Sequence, residues 1–402
     1  MELLPPAISD PELFALLVDI LSVSGDTDVN ARLRLRLIGK AASWQALADL
    51  AEAQGVMSPL VWALRRRRLL LPVPSRIADA AAGQHPTVQL EASYQRHMER
   101  RQRQCDQLAG IIAALNREGI EPLLLKGSRF LMAPASDLMV PVSSWRDARD
   151  MRDLDLLLRP DDAKRAFDAL VAEGYGANSD FGPTDQHLPE LWKSDCPSAV
   201  ELHVEGLAFS SRAVLPTADL WRNGRRSSNE HGAFVVLADE WHLLHALIHH
   251  QVSDHGYARR VLALKPLWEF AMLGSELPDQ GWQAIGAHMT QAGQADVLAD
   301  WVVQAAELLG LRYPPGVGVS QRARTHARAT IAAAQGADWL RRARFLADQV
   351  RFGFSRKTMA VRYQLDEDAV SLATYGRHMR FLLQRYRGRL WGRLTGRDDR
   401  PS

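Results

Sequence analysis

The chain has only two cysteines in 402 residues, Cys105 and Cys196. Two thiols exclude a disulfide framework and a cysteine-rich zinc site, which fits a reducing, cytoplasmic setting. Neither is placed like a nucleophile. Lysine is scarce as well: of 49 basic residues, six are lysine and 43 arginine. No apolar run approaches the roughly 18 residues of a membrane span. The stretch MELLPPAISDPELFALLVDILSVSGD has acidic residues and no Lys or Arg, the first being Arg32, which is wrong for a secretory or mitochondrial signal. A formal charge of +2 gives no whole-protein field to attract nucleic acid. Fixed-period repeats and low-complexity tracts are not evident.

What the chain does have is concentrated between residues 123 and 205. An apolar LLL run ends in Lys126-Gly127-Ser128, and MRDLDLLLR follows after a loop. Met151, Leu154 and Leu156 to Leu158 mark the second stretch as a strand, so Asp153 and Asp155 project from one side of it. Paired carboxylates repel unless a divalent cation holds them, and oxygen ligands at that spacing suit Mg²⁺ bridging to phosphates. A glycine turn opening a helix lets backbone N–H groups approach a triphosphate. A third carboxylate, as ligand or base, comes 46 residues after Asp155: in SAVELHVEG, Val200, Leu202 and Val204 alternate with Glu201, His203 and Glu205. HLPELWK at 187–193, the turn-like SDCPS and this strand predict a hairpin beside the D-x-D strand.

LLLKGSRF, RDLDLLLRPDDAKRAFDALVAEGY and VELHVEG together resemble the uncharacterised nucleotidyltransferase family of bacteria, within the DNA polymerase beta-like superfamily. The resemblance runs over residues 85–255. It implies an α+β fold, a polymerase beta-like core with a small mixed sheet, flanked by N-terminal and C-terminal helical regions. It also implies Asp153, Asp155 and Glu201 as catalytic and metal ligands for one or two Mg²⁺, and Lys126, Gly127 and Ser128 as the phosphate loop for a nucleoside triphosphate such as ATP. One departure is APASDLMVPVSSWRDAR, within residues 131–150, which is longer than the superfamily's usual connection and reads as a lid or an insertion. Blander roles stand beside these: Lys126 ending a buried strand and snorkelling to water, Ser128 capping the next helix.

A chain of this length is expected to hold two or three domains: a helical region over 1–85, a nucleotidyltransferase core over 86–240, and a helical domain with a basic tail over 241–402. Asp10-Pro11-Glu12 predicts a capped helix start, SWQALADLAEAQG a helix ending in glycine, and residues 88–117 a longer helix leading into the strand IEPLLL. RPDDAKRAFDALVAEGY predicts a helix burying Ala163, Ala166, Phe167, Leu170 and Val171, stopped by Gly174. The sheet is expected to end in VVLADE. Arg65 to Arg68 read as a solvated face, with nucleic-acid contact as the sharper alternative.

Past the sheet, His245 and His249 stand one helical turn apart, with His242, His250 and His255 nearby. Packing against the sheet, a shared zinc and, by the resemblance, substrate contact together with His203 are all open to them. From Arg377 to Arg400, eight arginines face two aspartates, a local charge of +6, on an amphipathic pattern that suits RNA or another polyanion, an anionic membrane surface, or acidic parts of the same protein. The expected activity is Mg²⁺-dependent transfer of a nucleoside monophosphate from a nucleoside triphosphate to the hydroxyl of a small molecule, peptide, protein or RNA. The alternatives are a non-catalytic nucleotide-binding module and a histidine-metal hydrolase in the C-terminal domain.

Overall fold

A computed structural model describes residues 8–24, 27–38, 43–70, 86–132, 144–177, 186–336, 338–363 and 365–381. The chain forms two compact units, Met1–Asp338 and Trp339–Ser402. Both boundaries expected from the sequence, near 85 and 240, lie within the first unit.

The first unit opens with helix α1 (Pro11–Leu21), whose start follows from local chemistry: Pro11 suits the first turn, and Asp10 Oδ1 accepts from the Leu13 N–H at 2.9 Å. Phe14, Leu17, Ile20 and Leu21 turn inward. Helices α2 (Thr27–Ile38), α3 (Ser43–Ala53) and α4 (Met57–Arg66) follow. The arginines closing α4 do not form a solvated face throughout. Arg67 is buried, donating to the carbonyls of Ile20, Ser22 and Ser24 and to Asn30 Oδ1, because those carbonyls, in the last turn of α1 and just past it, need donors. Arg65 pairs with Glu91 and lies over the Tyr94 ring.

The 32-residue helix α5 (Pro86–Arg117) leads into the sheet region. Here come β1 (Leu123–Leu124), α6 (Ser128–Leu131), β2 (Asp153–Leu157), α7 (Ala163–Ala172), β3 (Gly176–Ala177), β4 (Leu191–Trp192), β5 (Ala199–His203), α8 (Thr217–Arg222), β6 (Gly224–Asn229) and β7 (Gly232–Leu237). Their order in the seven-stranded mixed sheet is β3-β4-β5-β2-β1-β7-β6. The hairpin forms as the alternation predicts, with β4 antiparallel to β5, which runs parallel to β2. Leu154 and Leu156 pair with Val200 and Leu202, and this face packs on Leu108, Ile111, Ile112 and Leu115 of α5 and on Ala166 and Leu170 of α7. Val171, expected to be buried, is 45% exposed. It sits on the flank of α7, away from the Ala166–Leu170 stripe that meets the sheet. Gly174 ends the segment at φ +91°, where a side chain would be strained.

The opposite face of β1 and β2, with Leu123, Leu125 and Leu157, belongs to a second apolar cluster. Helices α9 (Asp239–Ile248), α10 (Gly256–Arg259), α11 (Leu264–Glu276), α12 (Asp279–Gln291), α13 (Ala295–Leu309) and α14 (Gln321–Ala334) complete the unit. Trp268, Trp301 and Leu298 from this set share the cluster with Leu17, Ile20 and Leu60 from the first helices. Backbone bonds join the two ends: Val23 N–H donates to Leu309 O at 2.9 Å and Ile8 N–H to Ala334 O at 3.2 Å.

The second unit contains α15 (Asp338–Gly353), α16 (Arg356–Tyr363) and a helical stretch over 372–381, with Met359, Ala360 and Val370 buried together against Tyr363 and Tyr375. Most of the basic tail, residues 382–402, lies outside the described residues, as do residues 133–143 of the 131–150 segment. Among the described residues, no helix is long and apolar enough to cross a membrane.

Candidate functional site

The site is set by strand register. Side chains alternate along a strand, so the parallel pairing of β2 and β5, which matches Asp153 with Ala199, Asp155 with Glu201 and Leu157 with His203, brings Asp153, Asp155, Glu201 and His203 onto one sheet face. Ligating atoms of Asp155, Glu201 and His203 all fall within 4.8 Å of one another.

Lys126 enters from the end of β1. Its φ of +45° is uncommon for a residue with a side chain and marks a constrained backbone. Nζ donates to Asp155 Oδ1 at 2.8 Å, and His203 Nε2 donates to the same oxygen at 3.0 Å. Glu201 Oε2 is 3.2 Å from that imidazole nitrogen. Burial disfavours the ammonium, but the Asp155 and Glu201 charges outweigh it and hold the Lys126 pKa above its usual range. Burial pulls the same way on His203, and its carboxylate neighbours again win, raising its pKa. Asp155 is buried too, yet Lys126 and His203 keep it strongly acidic. For Glu201, the nearby imidazole outweighs burial and lowers the pKa.

Asp153 has no such support. Burial first, then the charges of Glu201 and Asp155, push its pKa up to about 6. Asp155 and Glu201 thus have Lys126 or His203 beside them, and Asp153 pays the electrostatic cost of sitting next to both carboxylates. Among the described residues, Asp155 Oδ2 and both Asp153 oxygens accept no hydrogen bond. An oxygen-rich set with unused lone pairs fits a hard divalent cation such as Mg²⁺.

The turn after Lys126 is more occupied than the motif suggests. Ser128 is fully buried, and its Oγ accepts from the Asp155 N–H at 2.8 Å, tying the turn to the D-x-D strand. Helix α6 is four residues long, too short for a macrodipole of consequence. Gly127 faces Arg149: a Cβ built there would fall 1.9 Å from Nη1, so only glycine leaves room for this guanidinium. Arg149 is mostly buried and ion-paired with Glu269 at 2.9 Å. Sequence reading missed Arg149 because no short motif links it to Gly127, 22 residues away.

The histidines divide by role. His245 is fully buried, and its Nε2–H donates to the Gly206 carbonyl at 2.9 Å. Burial holds its pKa at about 3, so it is neutral and fastens α9 to the loop after β5. His242 stacks edge-on against Phe130. His249 lies with His250 and Asp254 in a separate group of potential ligands.

A model of the family described as "Uncharacterised nucleotidyltransferase" matches residues 40–310, more than half of the chain. The chain belongs to that family. The match extends past the motif-bearing stretch into the helices on both sides and stops short of α14 and the second unit. No curated protein and no solved structure matches the chain. Family membership supports general nucleotidyl transfer and suggests use of a nucleoside triphosphate and a divalent metal.

Proposed function

We propose that this family member transfers a nucleoside monophosphate from a nucleoside triphosphate to an acceptor hydroxyl. The reacting centre is the Asp153, Asp155 and Glu201 face of a polymerase beta-like core spanning residues 86–240, flanked by helical regions over 1–85 and 241–402. The observation that carries this reading is the Asp155–Glu201 register, which sets strand carboxylates side by side next to Lys126 at a glycine turn. Mg²⁺, one or two ions held by Asp153, Asp155 and Glu201, would supply charge neutralisation at the attacking and leaving oxygens.

The chain's own groups do the rest. Lys126 and Arg149 draw the β- and γ-phosphates toward the Gly127-Ser128 turn as fixed positive charge. Lys126 also sets the orientation of Asp155, and His203, buried between Asp155 and Glu201, keeps both anionic and in place. Glu201, half-buried and held ionised, completes the metal site or takes the proton of the acceptor hydroxyl. The hydroxyl oxygen then bonds to the α-phosphorus in line as the bond to pyrophosphate breaks. The acceptor is a small molecule, a peptide, a protein side chain or an RNA end, and the arginine-rich 377–402 segment is where RNA phosphates would lie.

The test is pyrophosphate release from each of the four nucleoside triphosphates with Mg²⁺ in the presence of cell extract, for the wild type and Glu201→Gln. Release by the wild type and at least about a hundredfold loss in the variant is the expected result, the scale set by removal of a general base. Nucleotide binding by calorimetry without release under any of these conditions would instead leave a binding module.

A further inference from the structure

Where α9 ends, the helix widens into a π-helical turn over His249–Ser253, a distortion often found at functional positions. The wider turn collects three potential ligands from one short segment. His249 Nδ1 lies 3.2 Å from Asp254 Oδ2, and His250 Nδ1 lies 3.7 Å from the same oxygen. All three ligand atoms fall within 4.8 Å of one another. Residue 255 then turns sharply, His255 taking φ +59°.

These atoms are close without being bonded. Among the described residues, His249 Nδ1 and Asp254 Oδ2 are both buried from solvent and neither makes a hydrogen bond. At 3.2 Å a His–Asp pair would normally donate and accept, but here the two buried atoms face each other out of line for a hydrogen bond. A metal bound tetrahedrally at about 2.0–2.1 Å puts neighbouring ligand atoms roughly 3.3–3.4 Å apart, between the two separations seen here. The donor set, two imidazole nitrogens and one carboxylate oxygen, is too nitrogen-rich for Mg²⁺ and suits a borderline cation.

We propose that His249, His250 and Asp254 form a site for a divalent transition metal of the zinc class, with three protein ligands and an open fourth position. It shares no residue with the Asp153, Asp155 and Glu201 set. An open position beside three protein ligands is the pattern in which a metal binds water or a substrate oxygen, whereas purely structural zinc sites are closed.

The chelator-stripped full chain, kept in excess Mg²⁺, is titrated with Zn²⁺ by calorimetry. One equivalent should bind, and His249→Gln and Asp254→Asn should each weaken it by more than the roughly 10–100-fold that supporting residues alone contribute. Glu201→Gln should bind Zn²⁺ like the wild type. Loss of the zinc equivalent in Glu201→Gln with retention in His249→Gln would overturn the proposal, as would no binding at all. Should His249→Gln or Asp254→Asn fail to fold, X-ray absorption on the zinc-loaded wild type decides. Two imidazoles per metal support the site, whereas a single imidazole, as the His203 cluster would give, refutes it. Because Mg²⁺-dependent pyrophosphate release is measured separately, failure of this site leaves the nucleotidyl-transfer reading intact, and the converse also holds.

Discussion

Replacing Asp153 with asparagine should make the metal-free protein more stable at neutral pH, and Asp155→Asn should do the opposite. Asp153 titrates near 6 instead of 3.8 because it is buried beside Glu201 and Asp155. The folded chain therefore keeps this proton up to about pH 6, whereas the unfolded chain has released it by about pH 4. Stability is lost as pH rises through that window, and the loss is complete above it. At 1.36 kcal/mol per pK unit the full penalty is about 3 kcal/mol, and water reaching this half-buried carboxylate reduces it to about 1.5 kcal/mol. Asparagine removes the charge, so Tm in chelator at about pH 7.5 should rise by roughly 2–4 °C, with the gain shrinking toward zero near pH 4. Asp155 instead accepts from Lys126 at 2.8 Å and His203 at 3.0 Å. Its loss leaves Lys126 without its ion-pair partner and His203 with Glu201 alone, a cost of about 3 kcal/mol. Differential scanning calorimetry of the three proteins at both pH values is the assay. Adding Mg²⁺ and nucleoside triphosphate should stabilise the wild type and neither variant. A destabilised Asp153→Asn, or a gain that does not change with pH, refutes the repulsion argument.

Lys126→Ala should raise the nucleotide KM and lower pyrophosphate release at least about tenfold, while also lowering the apo Tm because Asp155 keeps only His203; unchanged kinetics would assign Lys126 to structure alone. Gly127→Ala should destabilise by about 1–3 kcal/mol through overpacking against Arg149. In urea unfolding, Arg149→Ala should recover most of that loss when combined with it, and additive effects would show that the clash is elsewhere. Arg67→Met should cost about 3 kcal/mol of stability by leaving the Ile20, Ser22 and Ser24 carbonyls without a donor, with no change in affinity for a polyanion such as heparin. A weakened polyanion affinity at unchanged Tm would reverse that assignment.

The chemical face was readable in sequence because period-two alternation in DLDLL and AVELH places Asp153, Asp155 and Glu201 by side, and only the pairing of the two strands had to be supplied by the fold. The start of α1, the long helix over 86–117 and the hairpin were readable for the same reason: caps, glycines and alternation act within a few residues. Arg67 and Arg149 were not. Each is placed by groups on distant segments, the carbonyls at the end of α1 for one and the Gly127 turn for the other, and a run of arginines looks alike whether it meets water or buried oxygens. The His249, His250 and Asp254 grouping was partly hidden by its backbone: an α-helical reading pairs His245 with His249 and His250 with Asp254, and the wider π turn over His249–Ser253 adds His249, five residues before Asp254, to the second pair.

The backbone bonds from Val23 to Leu309 and from Ile8 to Ala334 have a consequence during synthesis. The first helices leave the ribosome long before the partners that cover them exist. At about 5–20 residues per second, the roughly 300 intervening residues take some 15–60 s to make. For that interval Phe14, Leu17, Ile20 and Leu21 are an apolar surface without its cover, the kind of segment that chaperones hold. The unit can close only when α13 and α14 have emerged, so a ribosome stalled before residue 295 would display an unfinished core whether or not its carboxylate site had already formed.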